Sequence, residues 1–398
     1  SSHFTQACTL NLHIICLELA EFPSRGSVDM TLAVVWTWTL LWSMSRSENS
    51  SCEADDLFAV LQVDATAGTV DSLYTFGAPG TASPGLTHST TKDGCFPGAR
   101  VTTQRTKGTG TWTDPITWVT NAVWLWNPKV DLYILDVDDP SKDQIVSCKT
   151  PGVQQMPRAP GSWRLGAWTR DMINAMELHT GKVFNEVTSR SSNKMLQSLS
   201  KFAVDLSYER DPKVAAQMAK SAGWRVVGAA MYEAGTSDTW VWSFGTQVSY
   251  LVQNPRSRDC IVTFQGTNDN VDNLQNIRGR TRPFCGLTLE TDRCRPLPGT
   301  CRVTNQGDSF VHSGFAAELE RMTQHPSWQK NVRERLPSCA HVSAFGHSLG
   351  GAMSDLFTAC ITRKPQDGSF GHEDYASMSW TKQRPRTLPE SPTFDVDE

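Results

Sequence analysis

The residues best placed to do chemistry are Gly346-His347-Ser348-Leu349-Gly350-Gly351. A serine with glycine two positions before and two positions after it fits a turn so tight that larger side chains would collide with neighbouring segments. The apolar stretch Ala340 to Phe345 ahead of it reads as a strand, and the helically spaced apolar residues behind it read as a helix. A serine at the apex of strand, turn and helix exposes its hydroxyl, and the first N–H groups of the helix face any oxyanion forming beside it. Acyl transfer needs such a nucleophile, a base to take its proton, and an acid to orient the base. Ser348 is the candidate nucleophile; the nearby His347 and the distant His312 read as packing residues.

A scaffold must hold these groups. The chain has 398 residues, 39% hydrophobic and 20% charged, enough for one large α/β domain or two smaller ones. A net charge of −4 gives no electrostatic case for a nucleic-acid partner. Of the eleven cysteines, Cys285, Cys294 and Cys301 crowd one Pro/Gly/Arg-rich stretch. Their spacing suits a disulfide-stapled loop in an oxidising compartment better than a tetrahedral zinc site, and no metal or cofactor is expected.

Residues 1–51 read as a signal-like or disordered segment, because Met30 to Met44 is an apolar run of signal-peptide length followed by a polar stretch; a buried hydrophobic segment is the alternative. Alternating Val70 to Phe76 predicts a strand ending in the turn Gly77-Ala78-Pro79-Gly80, and Arg100 to Gln104 and Val130 to Val137 predict two more. Between them Asp114 precedes a proline-led aromatic segment. Residues 149–162, which contain the proline-rich stretch Pro151 to Gly161, predict a linker. Met172 to Tyr208 reads as helical, and Asp211-Pro212 caps a helix over Lys213 to Ser221. Trp224–Met231, Thr239–Val252 and Cys260–Gln265 predict strands, a helix runs from Val311-His312-Ser313-Gly314-Phe315 through Met322, and residues 383–398 read as a tail.

Three segments, CIVTFQGTND (Cys260–Asp269), VHSGF (Val311–Phe315) and FGHSLGGA (Phe345–Ala352), together resemble the class 3, or fungal-type, lipases of the α/β-hydrolase family. The resemblance implies a mixed sheet with helices on both faces. It also implies Ser348 as nucleophile, the N–H groups of Thr267 and Leu349 as the oxyanion hole, and a lid over Asn268 to Arg282. Gln265 stands where the family usually has arginine. In such folds the chain order is serine, acid, histidine. Beyond Ser348 there is little room: Asp367, His372, Asp374 and Asp395 sit in short polar stretches.

The missing half is expected in front. LYTFGAPG (Leu73–Gly80) resembles the strand after the nucleophile helix, and WTDPITWV (Trp112–Val119) the segment with the family's acid, which maps to Asp114. The family's histidine maps to Asn127, which cannot take a proton, and His88 and His372 read as surface residues. Residues 52–148 thus resemble the C-terminal half of a lipase and residues 163–382 its N-terminal half with the serine turn. The inverted order implies either a tandem fragment or a circular permutant, and in both cases the halves can pack as one sheet. The resemblance implies hydrolysis of acylglycerol or related lipid esters and contact with lipid interfaces, while the signal-like run and the cysteine usage point to secretion or an endomembrane lumen. The rival reading, carried by Asn127, is a degenerate lipase fold that binds lipid or a protein partner.

Overall fold

The computed structural model of the protein describes residues 67–82, 95–106, 112–119, 128–150, 176–191, 193–233, 246–266, 281–282, 284–285, 311–362 and 372–390. All fall in one compact unit, Gln62–Glu398. Met30–Met44, His88, Asn127, Thr267, Cys294, Cys301, Asp395 and most of the expected linker and lid lie outside the described residues.

The architecture is α/β. The strands are β1 (Ser72–Phe76), β2 (Gly98–Arg105), β3 (Trp112–Thr113), β4 (Asp131–Asp136), β5 (Gln144–Val146), β6 (Arg225–Glu233), β7 (Thr246–Gln253), β8 (Cys260–Phe264), β9 (Thr281–Arg282), β10 (Val311–His312) and β11 (Val342–His347). The longer helices are α1 (Gly181–Arg190), α2 (Lys194–Ser200), α3 (Pro212–Ser221), α4 (Ser313–Gln324), α5 (Leu349–Thr362) and α6 (His372–Met378). The main sheet runs β5-β4-β2-β1-β11-β8-β7-β6, with β3 added beside β2. Its centre, β4-β2-β1-β11-β8, is parallel, and β5, β7 and β6 flank it antiparallel.

The parallel centre explains why CIVTF reads as an unbroken apolar run: all five residues of β8 are buried, as expected where both faces of a sheet are covered. Successive side chains serve opposite faces. Val262 and Phe264 pack with Phe315, Leu319 and Leu356 from α4 and α5. Ile261 packs with Phe184, Leu196, Phe202 and Ala215 from α1, α2, the following turns and α3.

The junction that matters most is β1 against β11. Residues 72–76 lie parallel to 343–347, with Phe76 opposite His347. The front and back segments of the chain therefore form one sheet. Arg100 of β2 and Asp355 of α5 are both buried across this junction. Burial dominates for each: it takes the guanidinium down to about 10, against the pull of Asp355, and pushes the carboxyl well up.

Two expectations need correction. The helical reading of Met172 to Tyr208 fails at its joints. From Met176 onward the chain makes a 3₁₀ turn at Glu177–His179, then α1, capped by Thr180 whose side chain accepts from the Val183 N–H. It breaks again before α2, capped by Asn193, and ends in tighter and wider turns over Lys201–Tyr208. Capping residues outcompete the apolar spacing on which that reading rested. The second correction concerns Cys285. It pairs with Cys360 of α5, so the tie runs to the helix behind Ser348 rather than within its own loop.

Cys95–Cys148 and Cys260–Cys339 are bonded as well. The latter joins the start of β8 to the chain just before β11 and closes 79 residues of sequence. Replacing Cys260 and Cys339 together by alanine should lower stability by about 4 kcal/mol, the loop-closure entropy for that length. Urea denaturation checks this; an unchanged midpoint refutes it.

Candidate active site

β11 ends at His347 and α5 starts at Leu349, leaving Ser348 alone at the turn with φ of +56°. That left-handed conformation is costly for a residue with a side chain and is kept only where the surroundings enforce it. The enforcement is visible. A Cβ on Gly346 would lie 2.2 Å from the Gly350 backbone, and one on Gly350 would lie 2.0 Å from the Phe264 carbonyl oxygen. The Ser348 N–H donates to the Phe76 carbonyl at 2.9 Å, so β1 fixes the turn from the side. Leu349 opens α5, and its N–H belongs to the first turn, where no intrahelical carbonyl is in reach. Thr267 lies outside the described residues; its neighbour Gly266 ends the β8 segment. Gln265 is buried and its side-chain oxygen accepts the Val248 N–H at 2.9 Å, extending the β7–β8 ladder.

Asp114 is fully buried between β3 and a helical turn at Ile116–Val119. One carboxylate oxygen accepts the Ile116 N–H at 3.0 Å. The other lies 2.8 Å from Nδ1 of His179, a buried residue that the sequence reading passed over. With the carboxylate accepting, Nδ1 carries the proton and Nε2 is left free to act as a base. Thr103 of β2 serves both partners: its carbonyl accepts the Asp114 N–H at 2.9 Å, and its hydroxyl donates to the Leu178 carbonyl at 2.6 Å. Gly77, at φ +58°, forms the floor. A Cβ there would sit 2.8 Å from the Asp114 carboxylate and 3.0 Å from the His179 ring. Glycine in the Gly77-Ala78-Pro79-Gly80 turn thus makes room for the pair as well as for the turn.

His179 and Ser348 share a cleft of about 730 Å³, which Lys182, Asp205, Tyr208 and Met218 also line. Burial raises the Asp205 carboxyl, and a hydrogen bond from Asn185 partly counters the shift. Among the described residues no group of three His, Cys, Asp or Glu side chains could hold a metal ion.

The other candidates fall elsewhere. His312 is buried, accepts the Phe315 N–H at 3.3 Å and stacks on the Phe315 ring at 4.0 Å, which is a capping and packing role. Asp374 accepts the Cys285 N–H at 3.3 Å, and His372 begins α6. Two groups far apart in sequence, His179 and Ser348, therefore line one cleft, and Asp114 stands buried behind His179. The signal for His179 was present in Thr180-Gly181, a cap and helix start that isolates the histidine in a turn, 65 residues beyond Asp114. No family model matches the chain, and no curated protein or solved structure does either.

Proposed function

We propose that the protein is a serine ester hydrolase of the class 3 lipase type, built on an α/β-hydrolase fold whose two halves follow each other in inverted order. The observation that carries the reading is the buried His179–Asp114 pair, 2.8 Å apart, whose histidine lines the same cleft as the strained Ser348. His179 is placed to supply the base that Asn127 could not, which favours this reading over a degenerate, purely binding fold.

In this reading the Ser348 hydroxyl attacks an ester carbonyl while Nε2 of His179 takes its proton. Asp114 holds the imidazole in the required tautomer and favours the imidazolium as it forms. The N–H groups of Leu349 and Thr267 receive the oxyanion. His179 then returns the proton to the departing alcohol, and water, activated by the same histidine, releases the acid from Ser348.

Acylglycerols or related lipid esters are the proposed substrates, met at a lipid interface. The disulfides Cys95–Cys148, Cys260–Cys339 and Cys285–Cys360 favour an oxidising setting such as secretion or an endomembrane lumen. No helix among the described residues is long and apolar enough to cross a membrane.

The test is covalent labelling. A fluorophosphonate should modify the folded protein once, and Ser348→Ala should abolish the modification while leaving the circular dichroism spectrum unchanged. Well-folded protein that takes no label would sink the proposal, and label retained in Ser348→Ala would place the nucleophile elsewhere.

A further inference from the structure

We infer that Tyr208 and His347 form a clamp that positions His179, and that the Tyr208 hydroxyl ties this clamp to the end of the oxyanion strand. The inference rests on the reading of His179 as the base. It differs from the packing role that the sequence suggests for His347, because packing alone needs no particular proton placement.

The protons can be assigned one by one. Nε2 of His347 lies 2.9 Å from the His179 carbonyl oxygen. A carbonyl only accepts, so Nε2 carries a hydrogen. His347 is 4% exposed, and burial beside a second histidine holds its pKa well below the ordinary value, so the ring is neutral. Nδ1 is then bare and must accept. Its partner at 2.7 Å is the Tyr208 hydroxyl, which keeps its proton because burial raises the phenol's pKa. The hydrogen bonds therefore run in one direction, from Tyr208 O–H to His347 Nδ1 and from His347 Nε2–H to the His179 carbonyl.

The same ring also restrains the His179 side chain. The two imidazoles stack with centroids 4.9 Å apart and planes 25° from parallel. Phe184 meets both edge-on, at 6.4 Å from His179 and 5.2 Å from His347. With Asp114 fixing Nδ1, His179 is held by its backbone carbonyl, one ring face and one ring nitrogen. Precision of this kind is what a base needs, since misplacement by about 1 Å can cost on the order of 100-fold in rate.

Gly266 brings in the third party. A Cβ there would lie 2.1 Å from the Tyr208 hydroxyl oxygen and 2.6 Å from the His347 carbonyl oxygen. The hydroxyl occupies the place a side chain would take, directly before Thr267. The end of the oxyanion strand and the serine turn thus meet at one phenol oxygen, and His347 carries the link on to the base.

Tyr208→Phe keeps the ring and removes only the donor, so it tests the clamp with little risk to the fold. With a water-soluble chromogenic ester, kcat should fall about 10-fold while KM stays within about 2-fold. His347→Gln, which keeps an N–H within reach of the His179 carbonyl, should retain more activity than His347→Ala. A kcat for Tyr208→Phe within about 2-fold of the parent, whatever happens to its melting temperature, overturns the inference.

Nitrogen NMR of the full chain with labelled histidine separates this outcome from failure of the hydrolase reading. His347 should show a protonated Nε2 and a bare Nδ1, and Tyr208→Phe should shift the His179 Nδ1–H resonance. If the wild-type protein takes no fluorophosphonate, the hydrolase reading fails, and these resonances decide the clamp alone. An imidazolium or Nδ1–H form of His347, or an unmoved His179 signal, refutes it.

Discussion

Replacing His179 by alanine should lower kcat on a soluble ester by about a million-fold, the scale seen when a serine hydrolase loses its only base. Side chains that act as a unit do not contribute additively, so adding His179→Ala to Ser348→Ala should cost almost nothing more. The fluorophosphonate reaction of the single variant should slow in parallel, because it needs the same proton removed from Ser348. Stability is the control. His179 is buried beside Phe184, so some loss in melting temperature is expected, but far too little to explain such a fall in rate. A variant within tenfold of the parent would put the base elsewhere and would reopen His88 and His372 as candidates. Stopped-flow or long-incubation assays with active-site titration can read the required range.

The second large effect belongs to Asp114. Changing it to asparagine should lower kcat by about ten thousand-fold with little change in KM. The oxygen that accepts from Ile116 is retained, so the local turn survives; what changes is the partner presented to Nδ1. An amide nitrogen there donates rather than accepts, which drives the proton of His179 to Nε2 and removes the lone pair that would take the serine hydrogen. Asp114→Glu, which keeps the charge and lengthens the arm in a fully buried site, should recover only part of the loss. A kcat for Asp114→Asn within tenfold of the parent would show that His179 does not depend on this carboxylate.

These effects divide along the line of what the sequence could disclose. The strand before Ser348, the helix after it, β8, and α3 with its Asp211-Pro212 start were legible because local pattern and burial agree there. The neighbourhood of β1 and β11 was legible only through segment resemblance, since nothing in Ser72–Phe76 itself says which strand will lie beside it. His179 was missed for a different reason. Apolar residues at Met172, Ile173 and Met176 and again from Met195 invited one long helix, and the short caps at Thr180 and Asn193 carry less weight in a periodicity count than in the folded backbone. Asp114 was singled out through the resemblance of Trp112–Val119 to the family's acid-bearing segment; its partner lay in a stretch read for period rather than for punctuation.

The seating of β1 has a further consequence, in time rather than in space. Ser72 and Ser343 face each other with hydroxyls 2.7 Å apart although 271 positions separate them in sequence. During synthesis the acid and then the base emerge long before the nucleophile. Until residues 342–347 arrive, β1 can pair only with β2 and presents its other edge unfilled. Long-range parallel pairing of this sort is slow to form and leaves adhesive edges while it waits. The cleft shared by His179 and Ser348 can therefore assemble only after almost the whole described chain has been made, and a chain that stops short keeps an open strand.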